Sequence, residues 1–472
     1  MWNLKENSSK IIFLITIFII KISIASLVPD RAGHVAVIID DQIVFMGGSR
    51  FIPSTNPIKS SIRVYNLSDE VFSLSLSSQF STSNPPYVDL SDTSARMKFG
   101  SEKGTAVLGG PTGTKNVYLI GGVQQNLTRL NEIDTNLNIT SNQTLMIEEI
   151  NKTYDMTNQF VFFYQPYGKS WLNLLDQKGT PPARRRSTST VINQKGIIYI
   201  FGGRSQADTG SPIFICYNDL YAFDTVLLLW NQINVANVPS PRSHAVPVML
   251  PNGKILYIGG VSQTQPGADA DLIDMNEIPV FDTNSLTWTY KYTNQSILVQ
   301  SRIAHTATLM PNNNEIIIIG GNSNYHFHLT TASPVFLSLN IAKEPYEYSE
   351  LITSGDKPLP LAVHTANLYQ NYLIIAFGNI TNNLTDPSEI NSRIYLLDIQ
   401  CKTWVTNFTP GKSICNSGPR IDIGFVVSII LGGIIVVLII AVVILYKMGI
   451  IGFKTCREQP REKRDHDDEQ CH

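Results

Sequence analysis

A pattern of apolar and polar positions recurs between Pro29 and Pro410. An apolar run rich in β-branched residues ends in a glycine pair, a polar loop follows, and a second apolar run leads to an aromatic residue. The pairs are Gly47 and Gly48, Gly121 and Gly122, Gly202 and Gly203, Gly259 and Gly260, Gly320 and Gly321, and the variant Gly378 and Asn379. Their first residues are 74, 81, 57, 61 and 58 positions apart. Short apolar runs separated by glycine predict a chain of β-strands.

The two recurring features of this pattern, the glycine pair and the aromatic residue, have physical reasons. A residue without Cβ lets the backbone bend closely past its neighbours after a buried strand. Large aromatic side chains bury enough area to hold stacked sheets together. The predicted outer-strand aromatics are Trp171, Trp230, Trp288 and Trp404, with Phe72 and Tyr348 in the first and fifth copies. Asp224, Asp282 and Asp398 each precede a Trp by six residues and are predicted to form turns.

Upstream of the glycine pairs, several copies begin with Arg and His: Arg31 and His34, Arg242 and His244, and Arg302 and His305. The sixth copy retains only His364, and the third only Arg184 to Arg186. Together these elements resemble the kelch-repeat β-propeller family over residues 29 to 410. The resemblance implies an all-β, six-bladed propeller of four-stranded antiparallel sheets. The second copy matches least well, so a seventh blade within residues 124 to 165 stays open. The recurring His residues are predicted to be architectural, bonding backbone groups near the channel.

The two ends of the chain predict a membrane protein. Residues 1–25 have the charge and apolar pattern of a signal peptide cleaved after Ala25, although an uncleaved anchor stays open. Ile423–Tyr446 holds 24 residues without a charge, enough to span a bilayer as a helix. Basic residues follow this span, so residues 26–410 are predicted outside or in the lumen, 411–422 as a juxtamembrane linker and 447–472 as a cytoplasmic tail. The expected location is the plasma membrane or the secretory pathway.

Glycosylation triplets and cysteines agree with this orientation. Nine Asn-X-Ser/Thr triplets lie between the two apolar segments, beginning at Asn66, Asn126, Asn138, Asn142, Asn151, Asn294, Asn379, Asn383 and Asn407. Four of them fall in residues 124 to 160, which we expect to form a long glycosylated loop. Cys401 and Cys415 are placed to form a disulfide in an oxidising compartment. Cys216 is then predicted to be a buried free thiol.

The sequence offers little catalytic chemistry. A net charge of −2, from 36 basic and 38 acidic residues, excludes a basic field that would hold nucleic acid. Kelch propellers also form the core of galactose oxidase, and that resemblance would imply a copper centre of Tyr and His ligands. The candidate ligands are His326 and His328, which would point to one side of an extended segment. No second ligand pair, catalytic motif or cofactor site can be assigned, so neither a catalytic residue nor a cofactor is predicted.

Three functions remain open on the sequence. The first is a single-pass type I membrane glycoprotein whose propeller binds a protein or glycan partner, and the second is a membrane-tethered copper enzyme. The third is a trafficking receptor that acts through its short tail. We favour the first, because the strong signals concern topology and scaffold. We also expect the last blade to be one contiguous segment, so that deletion of Val405–Pro410 costs little stability unless that stretch completes a sheet.

Overall fold

The computed structural model of the protein describes residues 30–51, 65–91, 94–111, 113–130, 148–154, 159–172, 174, 176–325, 329–382 and 389–413. The predicted signal peptide (1–25), transmembrane segment (423–446) and tail (447–472) lie outside these residues. So does the predicted linker beyond residue 413. Within the part of the chain that is described, no helix is long and apolar enough to cross a membrane.

The first three repeats consist of short strands. The first holds β1 (Val35–Ile39), β2 (Gln42–Met46), β3 (Ser49–Phe51), β4 (Tyr65–Leu67), β5 (Val71–Ser75), β6 (Phe80–Ser81) and β7 (Tyr87–Asp89). The second holds β8 (Gly100–Glu102), β9 (Thr105–Gly109), β10 (Asn116–Ile120), β11 (Val123–Gln125), β12 (Val161–Gln165) and β13 (Ser170–Leu172). The third holds β14 (Ser189–Ile192), β15 (Ile197–Phe201), β16 (Arg204–Ser205), β17 (Ile215–Cys216), β18 (Leu220–Asp224) and β19 (Leu229–Gln232).

The last three repeats follow the same plan. The fourth holds β20 (Arg242–Ser243), β21 (Val246–Met249), β22 (Lys254–Ile258), β23 (Val261–Gln263), β24 (Ala270–Leu272), β25 (Glu277–Asp282) and β26 (Thr287–Tyr292). The fifth holds β27 (Thr306–Leu309), β28 (Glu315–Ile319), β29 (Phe336–Asn340) and β30 (Glu347–Glu350). The sixth holds β31 (Leu361–Ala362), β32 (Thr365–Tyr369), β33 (Tyr372–Ala376), β34 (Asn379–Ile380), β35 (Ile394–Asp398) and β36 (Thr403–Val405), and β37 (Asn407–Phe408) follows. The described helical segments are 127–130, 148–151 and the 3₁₀ turn Ala207–Thr209.

Each repeat contributes one four-stranded antiparallel sheet. In chain order, sheets 1 to 6 are β1-β2-β5-β7, β9-β10-β12-β13, β14-β15-β18-β19, β21-β22-β25-β26, β27-β28-β29-β30 and β32-β33-β35-β36. Their innermost strands touch one another in a closed cycle that runs β1, β9, β14, β21, β27, β32 and back to β1. The chain is therefore an all-β propeller, and the prediction of that fold class is confirmed.

The second strand of each sheet is apolar over at least four of its five residues because both of its faces are covered. In β28, Ile316 and Ile318 pack with Leu256 and Ile258 of sheet 4. The alternate residues Ile317 and Ile319 pack with Leu373 and Ile375 of sheet 6. Because successive side chains of a strand point to opposite faces, a strand packed between two sheets shows an unbroken apolar run.

Both members of the glycine pair adopt left-handed backbone angles, such as φ of +66° at Gly320 and +105° at Gly321. A Cβ atom on Gly320 would lie 2.0 Å from the carbonyl oxygen of Leu361 in the next repeat. The prediction that Gly378 and Asn379 form the pair of the sixth repeat is wrong. Phe377 (φ +58°) and Gly378 (φ +93°) occupy the two positions, and Asn379 begins β34. The Phe377 ring packs on Phe45 and Phe72 of sheet 1, and this burial offsets the cost of its backbone angle.

The second residue of each pair links its sheet to the next. Its N–H donates to a carbonyl oxygen in the following repeat over 2.7 to 3.0 Å. The six bonds are Gly48 to Ser101, Gly122 to Arg185, Gly203 to Arg242, Gly260 to Arg302, Gly321 to Leu361, and Gly378 back to Arg31. The recurring arginines are buried and brace the same turn, since Arg31, Arg185 and Arg302 each donate from Nη1 to the carbonyl of the first glycine in their own repeat.

The first repeat departs from the predicted layout. The segment Tyr65–Leu67, which follows the first glycine pair, lies outside sheet 1 and pairs with β3 in a small accessory sheet. Phe72 lies in the third strand, where it pairs with Phe45, and is not an outer-strand aromatic. This strand order was not evident from the sequence, because a polar segment precedes the outer strand β7 and the strand itself carries no tryptophan.

The outer-strand aromatics of the other repeats lie against neighbouring sheets. Trp171, Trp230, Trp288, Tyr348 and Trp404 lie in β13, β19, β26, β30 and β36. Trp288 contacts Phe201 of sheet 3 at 4.8 Å, and Trp404 contacts Phe336 of sheet 5 at 5.5 Å, measured between ring centres. The predicted aspartate turns are confirmed, since one carboxylate oxygen accepts backbone N–H bonds in each of three turns, at Asp224, Asp282 and Asp398.

The last strand joins the two ends of the propeller. β37 pairs with β6 of the first repeat, with Phe408 opposite Phe80, and their rings stack at 5.0 Å. Phe408 is fully buried and also contacts Tyr372 of sheet 6. Residues 405–410 therefore do complete a sheet, which is the case in which we expect their deletion to cost stability.

We predict that Phe408→Ala lowers the free energy of unfolding by roughly 3–5 kcal/mol, because it leaves a cavity between sheets 1 and 6. The control is Thr406→Ala, an exposed neighbour, which we expect to change it by no more than about 0.5 kcal/mol. Both are measured by urea unfolding. Equal stability of the two variants would contradict the closing role of β37.

Candidate functional site

One residue from each repeat forms a ring around the propeller axis. Each of these residues lies shortly before an innermost strand and has a left-handed backbone angle. The six residues are Gly33, Lys103, Ser187, His244, Ala304 and Val363. Five backbone hydrogen bonds of 2.8 to 3.0 Å link neighbours in this inner ring, for example from the N–H of Lys103 to the carbonyl of Gly33.

Charged residues collect on one half of this ring. Glu102 ends β8, Arg186 pairs with Arg204 across an isolated bridge, and Asp208 lies in the 3₁₀ turn that follows β16. We call Glu102, Lys103, Arg186, Arg204, Asp208 and His244 the ring cluster. It belongs to repeats 2, 3 and 4, whereas repeats 5, 6 and 1 contribute Ala304, Val363 and Gly33 to the ring.

Ion pairs organise most of the ring cluster. Lys103 Nζ lies 2.7 Å from Glu102 Oε1, and Arg186 Nη2 lies 2.9 Å from Asp208 Oδ2. Arg186 also lies near Glu102, with 3.9 Å between Arg186 Nη1 and Glu102 Oε1. Burial would raise the pKa of Glu102, but Lys103 and Arg186 outweigh it and hold the pKa below its usual range. Three cations face two carboxylates, so the cluster is positive.

His244 is kept neutral inside the cluster. Burial is the main reason that its pKa falls well below 6.5, and the charges of Arg204, Arg186 and Lys103 add to the shift. Its Nδ1 lies 3.0 Å from the Ser243 hydroxyl, and its ring is edge-on to Tyr325 at 6.4 Å. His244 is thus a ring residue and not the equivalent of His34, contrary to the sequence prediction, because it stands two positions after Arg242 and not three.

The insertion of the second repeat reaches the cluster. Tyr154 pairs with Gln125 of β11, and its pKa is raised to about 12 by burial, with further contributions from Glu102 and Asp208. The described part of residues 124 to 165 consists of β11, the two helical segments and β12. Asn126 is exposed and Asn151 is half-buried on this insertion.

The other predicted site residues are dispersed. His326 and His328 lie outside the described residues, as do Asn138, Asn142 and Asn383, and no group of three His, Cys, Asp or Glu among the described residues could hold a metal ion. Asn294 and Asn407 are exposed, Asn379 is half-buried in β34, and Asn66 lies in β4. Cys401 is disulfide-bonded, and Cys415 lies outside the described residues. Cys216 is free and buried, as predicted.

Three other histidines share one repeat position, next to the innermost strands. His34 Nε2 lies 2.9 Å from the Thr365 hydroxyl, and His364 Nε2 lies 3.0 Å from the Thr306 hydroxyl. They therefore bind side chains of the preceding sheet and not backbone groups, which corrects the prediction. Both ring nitrogens of His305 lack a hydrogen-bond partner. The reason is local, since fourth-repeat Val246 takes the place that Thr306 and Thr365 fill.

Sequence reasoning missed the ring cluster. Its members come from short accessory strands of three repeats, and nothing in the local sequence joins Glu102 to Asp208. The available signal was the run Arg184 to Arg186 in a chain where only 16% of residues are charged.

A family model described as the Attractin/LZTR1 beta-propeller matches residues 117–427. Kelch domain-containing protein 3 of Homo sapiens is 32% identical over 155 residues, which cover 32% of this chain and 38% of that protein. Kelch domain-containing protein 1 of Homo sapiens is 25% identical over 231 residues, 45% of this chain and 52% of that protein. The flagellar outer arm dynein alpha chain of Chlamydomonas reinhardtii is 24% identical over 257 residues, 51% of this chain and 5% of that protein. The matches thus span about half or less of each relative's length.

The buried histidines predict acid sensitivity. Burial lowers the pKa of His364 to about 4 and that of His305 to about 3, whereas the pKa of a His in the unfolded chain is about 6.5. A folded pKa below the unfolded one means that stability is present above pH ~6.5 and is lost as pH falls toward the folded pKa. From pH ~6.5 to pH ~5, His364 alone should account for about 2 kcal/mol of lost stability.

The measurement is urea unfolding of the parent and of His364→Gln across this pH range. The variant should lose about 2 kcal/mol less than the parent on acidification. Thr306→Val is the matched control, because it removes the hydrogen-bond partner but leaves the imidazole to titrate. An unchanged pH dependence in His364→Gln would contradict the assignment.

Proposed function

The chain belongs to the Attractin/LZTR1 beta-propeller family of kelch-type propellers, and from this premise we propose that it is a membrane-anchored protein-interaction module. The family and its kelch relatives point to a non-enzymatic protein-interaction domain. The copper-enzyme alternative is therefore set aside. The partner we propose is an extracellular or luminal protein.

We propose a propeller of six blades. Six four-stranded sheets and the closed cycle of contacts between their innermost strands support this number. The hydrogen bond from Gly378 to Arg31 and the pairing of β37 with β6 support closure between the sixth blade and the first.

The ring cluster carries the proposal of a binding surface. This region near the axis collects charged side chains from repeats 2, 3 and 4 and the aromatic side chains Phe214 and Tyr325 from repeats 3 and 5. Phe214 and Tyr325 stand beside Arg204, and Ile213 is 48% exposed next to Phe214. Convergent polar groups beside exposed apolar ones are typical of protein interfaces, in which aromatic residues and arginine contribute most.

The proposed topology is type I, with the propeller outside the cell or in the lumen. The uncharged segment Ile423–Tyr446, the basic residues after it and the nine triplets before it support this arrangement. The exposed positions of Asn126, Asn294 and Asn407 are compatible with attached glycans.

A photo-crosslinking residue in place of Ile213 should capture a discrete protein when the full chain is expressed in its native cells. The matched control replaces Val226, which is 49% exposed in the β18–β19 turn at the opposite end. The adduct should appear only at position 213 and should resist glycosidase treatment. An adduct at position 226 alone, or one removed by glycosidase, would contradict a protein-binding surface at the ring cluster.

Translation of the full chain with microsomes tests the topology. We expect added protease to leave the propeller intact and to trim only the tail. Asn126→Gln and Asn407→Gln should each lose one glycan in gel mobility, whereas Asn312→Gln, outside any triplet, should not. Digestion of the propeller by protease in intact microsomes would refute type I topology but leave the protein-binding proposal standing.

A further inference from the structure

Arg204 is the one ring-cluster cation that pairs with no carboxylate among the described residues. Its Nη1 donates to the hydroxyl of Tyr325. Its guanidinium carbon lies 5.5 Å from the ring centre of Phe214 and 5.4 Å from that of Tyr325. Its Nε is buried and has no hydrogen-bond partner within the described structure.

The neighbouring carboxylates are already engaged. Glu102 pairs with Lys103, and Asp208 pairs with Arg186. Burial lowers the pKa of Arg204 and the charge of Arg186 lowers it further, while Tyr325 and Asp208 offset part of this shift without an ion-pair contact between Asp208 and Arg204. A cation that is partly withdrawn from water without a carboxylate in contact costs free energy, and an incoming anion in contact would recover part of that cost.

We propose that Arg204 anchors a carboxylate-binding subsite, which takes an Asp or Glu side chain of the partner protein. This inference rests on the proposed function, since it specifies which part of the partner enters the ring cluster. A guanidinium donates two parallel hydrogen bonds to a carboxylate, in a geometry that suits its planar shape. The adjacent positive charges of Lys103 and Arg186 favour the approach of an acidic segment.

The surroundings of Arg204 favour a peptide over an acidic sugar. Phe214 and Tyr325 flank the guanidinium, and Ile213 is exposed beside them. These side chains offer apolar contact to the methylene groups and neighbouring residues of an acidic peptide. An acidic sugar shares only the carboxylate, so it serves as the competing outcome of the test.

The test uses the full chain in detergent micelles and two fluorescein-labelled Gly-Ser dodecapeptides, one with three central glutamates and one with three glutamines. Fluorescence anisotropy at low ionic strength should show that the glutamate peptide binds about tenfold more tightly. Arg204→Gln should abolish this preference. Arg393→Gln, the same substitution at an exposed arginine of the sixth repeat, should retain it.

A second measurement covers a variant that fails to fold. Phenylglyoxal labels arginines of the parent chain, and mass spectrometry maps the labelled positions. Labelling of Arg204 should fall in the presence of the glutamate peptide and stay unchanged with the glutamine peptide.

Equal affinities for the two peptides would overturn the inference, as would a preference that survives Arg204→Gln. Sialyllactose that binds only when Arg204 is present, without a preference for the glutamate peptide, would overturn it in favour of an acidic sugar. Any of these results would leave the crosslinking test at Ile213 independent, because that test detects a protein partner whatever group it presents.

Discussion

The propeller depends on one repeated interaction, the hydrogen bond from the second residue of each glycine pair to a carbonyl of the next repeat. It requires a left-handed backbone at two successive positions. In repeats 1 to 5 the first position leaves no room for a side chain, as the 2.0 Å approach at Gly320 shows, whereas Phe377 takes that position in the sixth repeat. The buried arginines brace the same turn from within their own repeat. Because the sixth of these bonds returns from Gly378 to Arg31, the chain of contacts becomes a ring.

The repeated parts of this fold could be predicted from the sequence, and the exceptions could not. Apolar runs, glycine pairs and tryptophans recur with spacings that identify sheets 2 to 6. The first repeat failed because its outer strand has no tryptophan and an accessory strand at Tyr65–Leu67 mimics the pattern. Phe377 was missed because its burial against sheet 1, a contact between residues far apart in sequence, decides its backbone angle.

The candidate site was beyond reach for a related reason. Each ring-cluster residue follows or precedes a strand in its own repeat, but its chemistry arises only where three repeats meet at the axis. A repeat pattern even misleads here, since Arg242 and His244 look like Arg31 and His34 at a shorter spacing. One residue of offset moves His244 from the histidine position to the inner ring, where burial, with a further contribution from three cations, keeps it neutral.

The uneven composition of the inner ring has a consequence for stoichiometry. The scaffold repeats six times, but the ring cluster is built by repeats 2, 3 and 4, with Tyr325 of repeat 5 beside it, and the other ring positions carry Gly33, Ala304 and Val363. A ligand that recognises the charged half binds in one orientation about the propeller axis. The pseudo-symmetric propeller therefore has a single binding site with one orientation, and it would bind one copy of its partner per chain.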